Sequence, residues 1–309
     1  MAEMDTSGYQ SLIDRRYREI FDERYAATID QLPLFFSMET SDSFEERRGS
    51  VGELPIWTAF GGSLTYEQFY EQYNATATHV EFTQAYRTAR RLRADDLTGI
   101  MRGDRYAKMI DSGIVTRQQH GARLWNFMAS NDNMFYERSE GVPLASDSHT
   151  TRTPNVSTAS GFDNLTTAEL SQTSYRALRQ QMRRFNNDQG YIANIIPDAL
   201  VVPIELEQRG MEVLYSPGDP DNARRSMNPE QNSAEIIIPI QMTDANNWGL
   251  VNRRMMKENC IWFDHTDAGP KGDFKSIVDF ESYQLKCSGY MRYSFLVFGW
   301  RWIAWSNVS

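Results

Sequence analysis

Gly190-Tyr-Ile-Ala-Asn-Ile-Ile-Pro-Asp-Ala-Leu-Val-Val-Pro203 is the stretch on which the fold turns. Tyr191 to Ile196 is rich in β-branched and aromatic residues and reads as a strand, and Pro197-Asp198 turns the chain into the short apolar run Leu200-Val-Val202. Pro203 suits the first turn of a helix, where its missing N–H is harmless. That helix carries Leu206, Val213 and Leu214 inward and ends before Pro217-Gly218. Upstream, Thr166-Thr-Ala-Glu169 has capping-box spacing and predicts a helix from near Thr167. Leu170, Ala177, Leu178, Met182 and Phe185 make its apolar face, Arg176, Arg179, Arg183 and Arg184 fall largely on the other, and Asn186 to Gly190 stops it. A helix, a strand and a second helix follow one another here without any catalytic motif.

Composition narrows the classes. A chain of 309 residues with 40% hydrophobic content builds one large domain or two ordinary ones. A net charge of -9 and a pI near 5.1 argue against broad nucleic-acid affinity, because neutralising phosphates needs excess cations. Two cysteines, Cys260 and Cys287, are too few for a disulfide framework and are typical of a reducing compartment. The acidic, charged N-terminus lacks the basic start and apolar core of a signal peptide. The most apolar tract, Phe295 to Trp305, is interrupted by Arg301 and falls short of the ~20 residues of a membrane span.

Outside the quoted stretch the periodicity changes several times. Ser7 to Thr28 reads as an amphipathic helix with Leu12, Ile20 and Tyr17 or Phe21 on one side. Pro33 to about Arg93 has no long helical period; Phe44 to Phe60 and Leu64 to Tyr86 are strand-like around the turn Gly61-Gly62-Ser63. Such a ribbon is marginally stable alone, so a second subunit is expected to cover it; the rival reading is a disordered or cofactor-wrapping loop. Gly103 to Ser130 is a long helix carrying Tyr106, Ile110, Ile114, Gly121, Leu124 or Trp125, and Met128. Asn131 to Asn164 and Asp219 to Ser233 are polar loops. Ala234 to Ile240, Trp248 to Val251 and Cys260 to Phe263 are strands, and Phe274 to Trp305 is two long strands turning near Ser288-Gly289. The fold class is α+β.

Chemistry-bearing patterns are scarce. His79, His120, His149 and His265 lie far apart without zinc spacing and are expected on the surface or at caps. Cys260 and His265 do not make a nucleophile and base, since Trp262 and Phe263 between them look like strand filling. Asp219-Pro-Asp-Asn lacks the rest of a calcium loop, and Gly269-Pro-Lys-Gly272 lacks the phosphate-loop spacing. No catalytic residue, metal ligand or cofactor is therefore assigned. The rival functional reading is a cytosolic metal-dependent hydrolase built on Asp264, His265 and Asp267. The basic run Arg87-Thr-Ala-Arg-Arg-Leu-Arg93 suits salt bridges to acidic residues of a neighbouring subunit, such as Glu45 and Glu46, better than it suits nucleic acid.

Taken in order, these segments resemble the major capsid protein of tailed bacteriophages, the fold shared by lambda-like and Mu-like heads. Gly190 to Pro203 is similar to a G-x-x-L-x-I-x-P-x-x-L-V-V-P run of that family, with Ala193 at the usual leucine. Phe280-Glu-Ser-Tyr-Gln-Leu-Lys286 and Phe298-Gly-Trp-Arg-Trp302 look like its terminal strands. The resemblance implies an N-terminal arm (1–43), an extended β-hairpin loop (44–93), a peripheral domain with a long spine helix (94–160 and 273–309) and an axial α/β domain (161–272). It further implies a non-enzymatic structural protein that self-assembles into pentamers and hexamers of an icosahedral head around double-stranded DNA, which it touches weakly on the inner face. The expected location is the capsid shell of the virion, assembled in the host cytoplasm. Expected partners are other copies of the chain, a separate scaffold protein, the portal and a decoration protein, with no membrane. Candidate inter-subunit contacts are Glu45, Glu46, Arg47, Arg48, Trp57, Tyr66, Phe69, Tyr70, Arg87, Arg90, Arg91 and Arg93. All but five of the 32 basic residues are arginine, the better side chain for bidentate interfacial pairs. Residues 44–93 contain no lysine, so the Lys-to-Asn isopeptide bond of some family members is not expected. The chain does not begin with a long coiled-coil scaffolding region, so a separate scaffold, or removal of a prior segment, is expected. The hairpin is expected to be mobile in the free subunit.

Overall fold

The computed structural model describes residues 18–95, 104–218, 227–269 and 271–308. In chain order, a helix over residues 18–27 (α1) precedes α2 (Leu32–Phe35), β1 (Ser37–Ser41), β2 (Glu45–Val51), β3 (Glu71–Thr78), β4 (Val80–Thr88), α3 (Arg90–Ala94) and the long α4 (Asp104–Asn126). The second half holds β5 (Tyr136–Arg138), β6 (Leu165–Thr166), α5 (Gln172–Arg183), β7 (Ala199–Val201), a 3-10 turn (Ile204–Leu206), α6 (Glu207–Tyr215), β8 (Glu235–Ile237), β9 (Trp248–Val251), α7 (Arg253–Asn259), β10 (Cys260–His265), β11 (Asp273–Val278), β12 (Leu285–Val297) and β13 (Ile303–Ser306). The α+β class stands.

One sheet is built on the 13-residue β12, which pairs antiparallel with β10 at its far end and with β11 and β4 along its first half; β1 adds in parallel on β10. A second sheet runs β6-β13-β9-β7-β8, and a third, small one runs β2-β3-β5. The spine helix lies on β12 because its apolar stripe, Tyr106, Ile110 and Ile114, meets Leu285 and Cys287. Near its other end Leu32 of α2 rests against Gly121, where a Cβ would stand 2.1 Å from the leucine Cδ2. The two larger sheets share one core: Trp262, Tyr293 and Phe295 join Val251, Trp302 and Trp305 in a single apolar cluster. Trp125 of α4 meets Phe35, Trp302 and Trp305 at ring distances of 5.2, 6.2 and 6.2 Å.

Several expectations shift. The helix expected near Thr167 starts at Gln172, capped reciprocally by Ser171 and Ser174, while Thr166 lies in β6; the hydroxyl pair three residues apart does what the Thr166–Glu169 pair would have done. Tyr175 rather than Ala177 joins its buried face. Residues 191–194 are exposed coil touched by one bridge, Asn186 to Ile192, and the strand is Ala199–Val201, buried on both faces between β8 and β9. α6 covers it, with Gly210 facing Ile236, Leu200 and Val202 at a spacing where an added Cβ would make ordinary contacts of 3.5 to 3.7 Å. Ser288-Gly289 is not a turn but the middle of β12, where Gly289 makes room for the Phe274 ring; the reversal is at residues 279–284. Sheet membership also crosses the expected domain limits: β10 joins β12, and β13 joins β9, because each completes a neighbour's hydrogen-bond ladder across the shared core. Of the expected N-terminal helix, residues 18–27 are helical, with Ile20 buried; Leu12 and Tyr17 lie outside the described residues, as does most of the 219–233 loop.

Candidate subunit interface

β2 and β3 form an antiparallel ribbon, and β3 passes almost directly into β4, with only His79 between them. The excursion between the two ribbon strands is held at its root. Gly52 N–H donates to Tyr70 O at 2.8 Å, and a Cβ on Gly52 would lie 2.7 Å from the Gln72 amide. Buried Gln72 accepts from Thr151 and the Arg152 N–H and donates to Thr153 at 3.0 Å, and Tyr73 bonds Thr150 at 2.7 Å. Glu53 takes bonds from Asn187 and Gln189 of the loop after α5. The ribbon is thus moored to two loops of its own subunit.

Beyond that root the composition inverts the usual surface. Ile56, Trp57, Phe60 and Leu64 are exposed around a cleft of about 350 Å³, and Tyr66 and Phe69 are exposed on the same excursion, Trp57 at 94% and Tyr66 at 89%. Contiguous exposed apolar surface of this kind marks an interaction site in a folded protein. Of the expected contacts, Trp57 lines the cleft, while Tyr66 and Phe69 are exposed and Tyr70 is half-buried on the segment that returns to β3. Ile56, Phe60 and Leu64, exposed beside Trp57, were not among the candidates; in sequence an apolar residue carries no mark of whether it faces a core or the surface.

The charged candidates divide. Arg48 pairs with Glu39 at 2.9 Å and lies 5.9 Å from the Phe263 ring, and Glu46 accepts from Ser41 at 2.7 Å, so both have partners within the subunit. Glu45 and Arg47 are exposed and 3.9 Å apart. Arg87, on β4, and Arg90 and Arg91, on α3, are exposed; Arg90 sits 5.4 Å from the Tyr283 ring, and Arg93 belongs to the same helix. With Phe280 at 86% and Tyr283 at 54% exposure, this end of the first sheet is a second apolar and basic surface.

The Asp264, His265 and Asp267 group does not assemble. Asp264 is buried and takes two bonds from Arg117, at 2.6 and 3.1 Å, and one at 3.0 Å from the Trp262 indole, which uses its acceptor positions. Asp267 instead bonds the His265 Nδ1 at 2.7 Å, and together with Arg292 this holds its carboxyl below the usual range against the cost of burial. No group of three His, Cys, Asp or Glu among the described residues could hold a metal ion. Burial drives the Cys260 thiol well above its ordinary value, which leaves it inert as a nucleophile. The histidines expected on the surface are inside: His79, His149 and His265 are buried, and half-buried His120 bonds Tyr293 at 2.7 Å, with burial, then Arg123, pushing its ring down to about 4. His149 lies flat on Trp300, 4.3 Å between ring centres.

Solved structures of similar architecture include bacteriophage and GTA-particle capsids. The bacteriophage JBD30 capsid matches 69% of this chain and 91% of its own at a TM-score of 0.53 and 16% identity. The JBD30 capsid decorated with minor capsid protein trimers matches 70% and 92% at 0.51 and 14%, and the capsid of the empty GTA particle 92% and 93% at 0.53 and 12%. The chain has the tailed-phage major capsid fold. Residues 162–241, which carry α5, β7, α6 and β8, match the family of the Mu-like prophage major head subunit gpT. Comparison with curated proteins gives no match.

Proposed function

We propose that this chain is the repeating subunit of a tailed-phage head, a structural protein rather than an enzyme, assembling into hexamers and pentamers of an icosahedral shell around double-stranded DNA. The observation that carries this reading is the β2–β3 ribbon, moored at its root and crowned by exposed Trp57, Tyr66 and Phe69, on a capsid fold. A monomer gains nothing from such a tip, whereas a neighbouring copy buries it. On this reading the division into arm, hairpin, peripheral and axial domains is redrawn, with β1, β4 and β10 counted with the peripheral sheet and β13 with the axial one. Assembly in the host cytoplasm, with a separate scaffold, a portal and a decoration protein, completes the reading; the acidic balance of the chain suits weak contact with the packaged genome. Electron microscopy of the purified protein, alone and co-expressed with a scaffold, tests it: closed shells support the reading, and a monodisperse monomer under every assembly condition overturns it.

A further inference from the structure

His79 is the single residue between β3 of the ribbon and β4 of the large sheet, so the chain changes sheets across one buried imidazole. Both ring nitrogens are engaged. Ser41, at the end of β1, donates its one hydroxyl proton to Glu46 of β2 at 2.7 Å, so its oxygen accepts from the His79 Nε2–H at 3.1 Å. Nδ1 is then the acceptor for the Ser294 hydroxyl of β12, at 3.0 Å. A relay from Ser294 through His79 and Ser41 to Glu46 therefore ties the ribbon to the sheet, and it is complete only when the ring is neutral.

We propose that His79 is a proton-operated hinge: uptake of one proton by its ring loosens the β2–β3 ribbon from the sheet of β4 and β12. A proton on Nδ1 confronts the Ser294 hydroxyl, which must turn away from the ring. The new charge arises in a buried site beside the His265 ring of β10, 5.3 Å away, and near Arg292 of β12. Glu46 on β2 and Asp267 after β10 favour the charge, but Arg292 also faces Asp267, at 3.3 Å, and Glu81 of β4, at 3.8 Å. Burial, then His265, then Arg292 hold the ring below its ordinary value. Because the moored form disfavours the proton, mooring is strongest above the ordinary imidazole value near 6.5 and weakens as pH falls below it. The change is limited to about tenfold per pH unit for one proton. This inference concerns the isolated subunit and goes beyond the assembly reading.

The test is made on the full, unassembled chain. With only four histidines, ring titrations by NMR of ¹³C-histidine-labelled protein are assignable through single His→Gln variants. Amide exchange, corrected for its intrinsic pH dependence, is followed in parallel from pH 7.5 to 5. Exchange in residues 45–51 and 71–78 is expected to accelerate up to tenfold per pH unit as pH falls below about 6.5 and to level off where the His79 ring titrates, while β7, β9 and β13 stay unchanged. His79→Gln removes the step, and His265→Gln raises the His79 ring midpoint and makes the exchange rise smaller, ending at that higher pH. A step that survives in His79→Gln, that appears equally in the axial strands, or that is missing while the ring titrates overturns the hinge. Should His79→Gln fail to fold, the native chain and His265→Gln decide: in each, the exchange rise must level off at that protein's own His79 ring midpoint.

Discussion

Arg117→Met is the most informative single perturbation of the scaffold. The Arg117–Asp264 pair joins the spine helix to β10; its side chains are 6% and 5% exposed, and the guanidinium lies 5.3 Å from both the Trp262 and Tyr293 rings. Removing the arginine leaves Asp264 with one hydrogen bond, from Trp262, in place of three. Stranding a buried charge in this way costs about 3–5 kcal/mol. Asp264→Leu strands the guanidinium instead and should cost a similar amount, softened by about 0.5–2 kcal/mol of attraction to the two rings. The double variant Arg117→Met/Asp264→Leu removes both charges and leaves only the Trp262 indole N–H unpaired, a penalty of about 1–3 kcal/mol. The double is therefore expected to be more stable than Arg117→Met alone. Guanidinium unfolding followed by tryptophan fluorescence measures all three. An Arg117→Met cost below about 1 kcal/mol, or single costs that simply add in the double, would refute the claim that this pair is a desolvated, coupled link.

Three further outcomes follow from the geometry. Trp57→Ala with Ile56→Ala should leave the thermal unfolding of the free subunit within about 0.5 kcal/mol of the parent while sharply reducing the shell yield seen by electron microscopy, since both side chains are exposed in the subunit. Amide exchange in the free subunit should be fast over residues 53–69 and slow in β4, whose nine residues all pair with β12; mobility expected of the whole hairpin is thereby confined to its tip. Gly249→Ala should lower stability by about 1–3 kcal/mol in the same unfolding assay, because the new methyl would lie 2.4 Å from the Trp305 ring and 2.8 Å from the Ala304 carbonyl.

Much of the fold was legible because it rests on local rules. The spine helix was visible in the recurrence of Tyr106, Ile110 and Ile114, since helical periodicity leaves a mark in the sequence, whereas the strand expected at Tyr191–Ile196 forms instead at Ala199–Val201, in the apolar run after Pro197-Asp198. The capping residues were misplaced because Thr166 and Ser171 offer the same hydroxyl, and only the packing of Leu170 and Tyr175 chooses between them. Gly289 looked like a turn because glycine permits one; the Phe274 ring that needs the space is fifteen residues away along the chain.

The proposed interface was legible as an excess, not as a surface. Sequence alone determined that 44–93 was too long and too aromatic for an ordinary loop, because composition is a property of the chain itself. Which aromatics face outward, that β4 belongs to the sheet while β2 and β3 do not, and that His79 stands at the junction were decided only by tertiary structure. Those facts depend on strand partners more than two hundred residues distant, Ser294 and Tyr293 among them, and strand pairing at that separation leaves no trace in local periodicity.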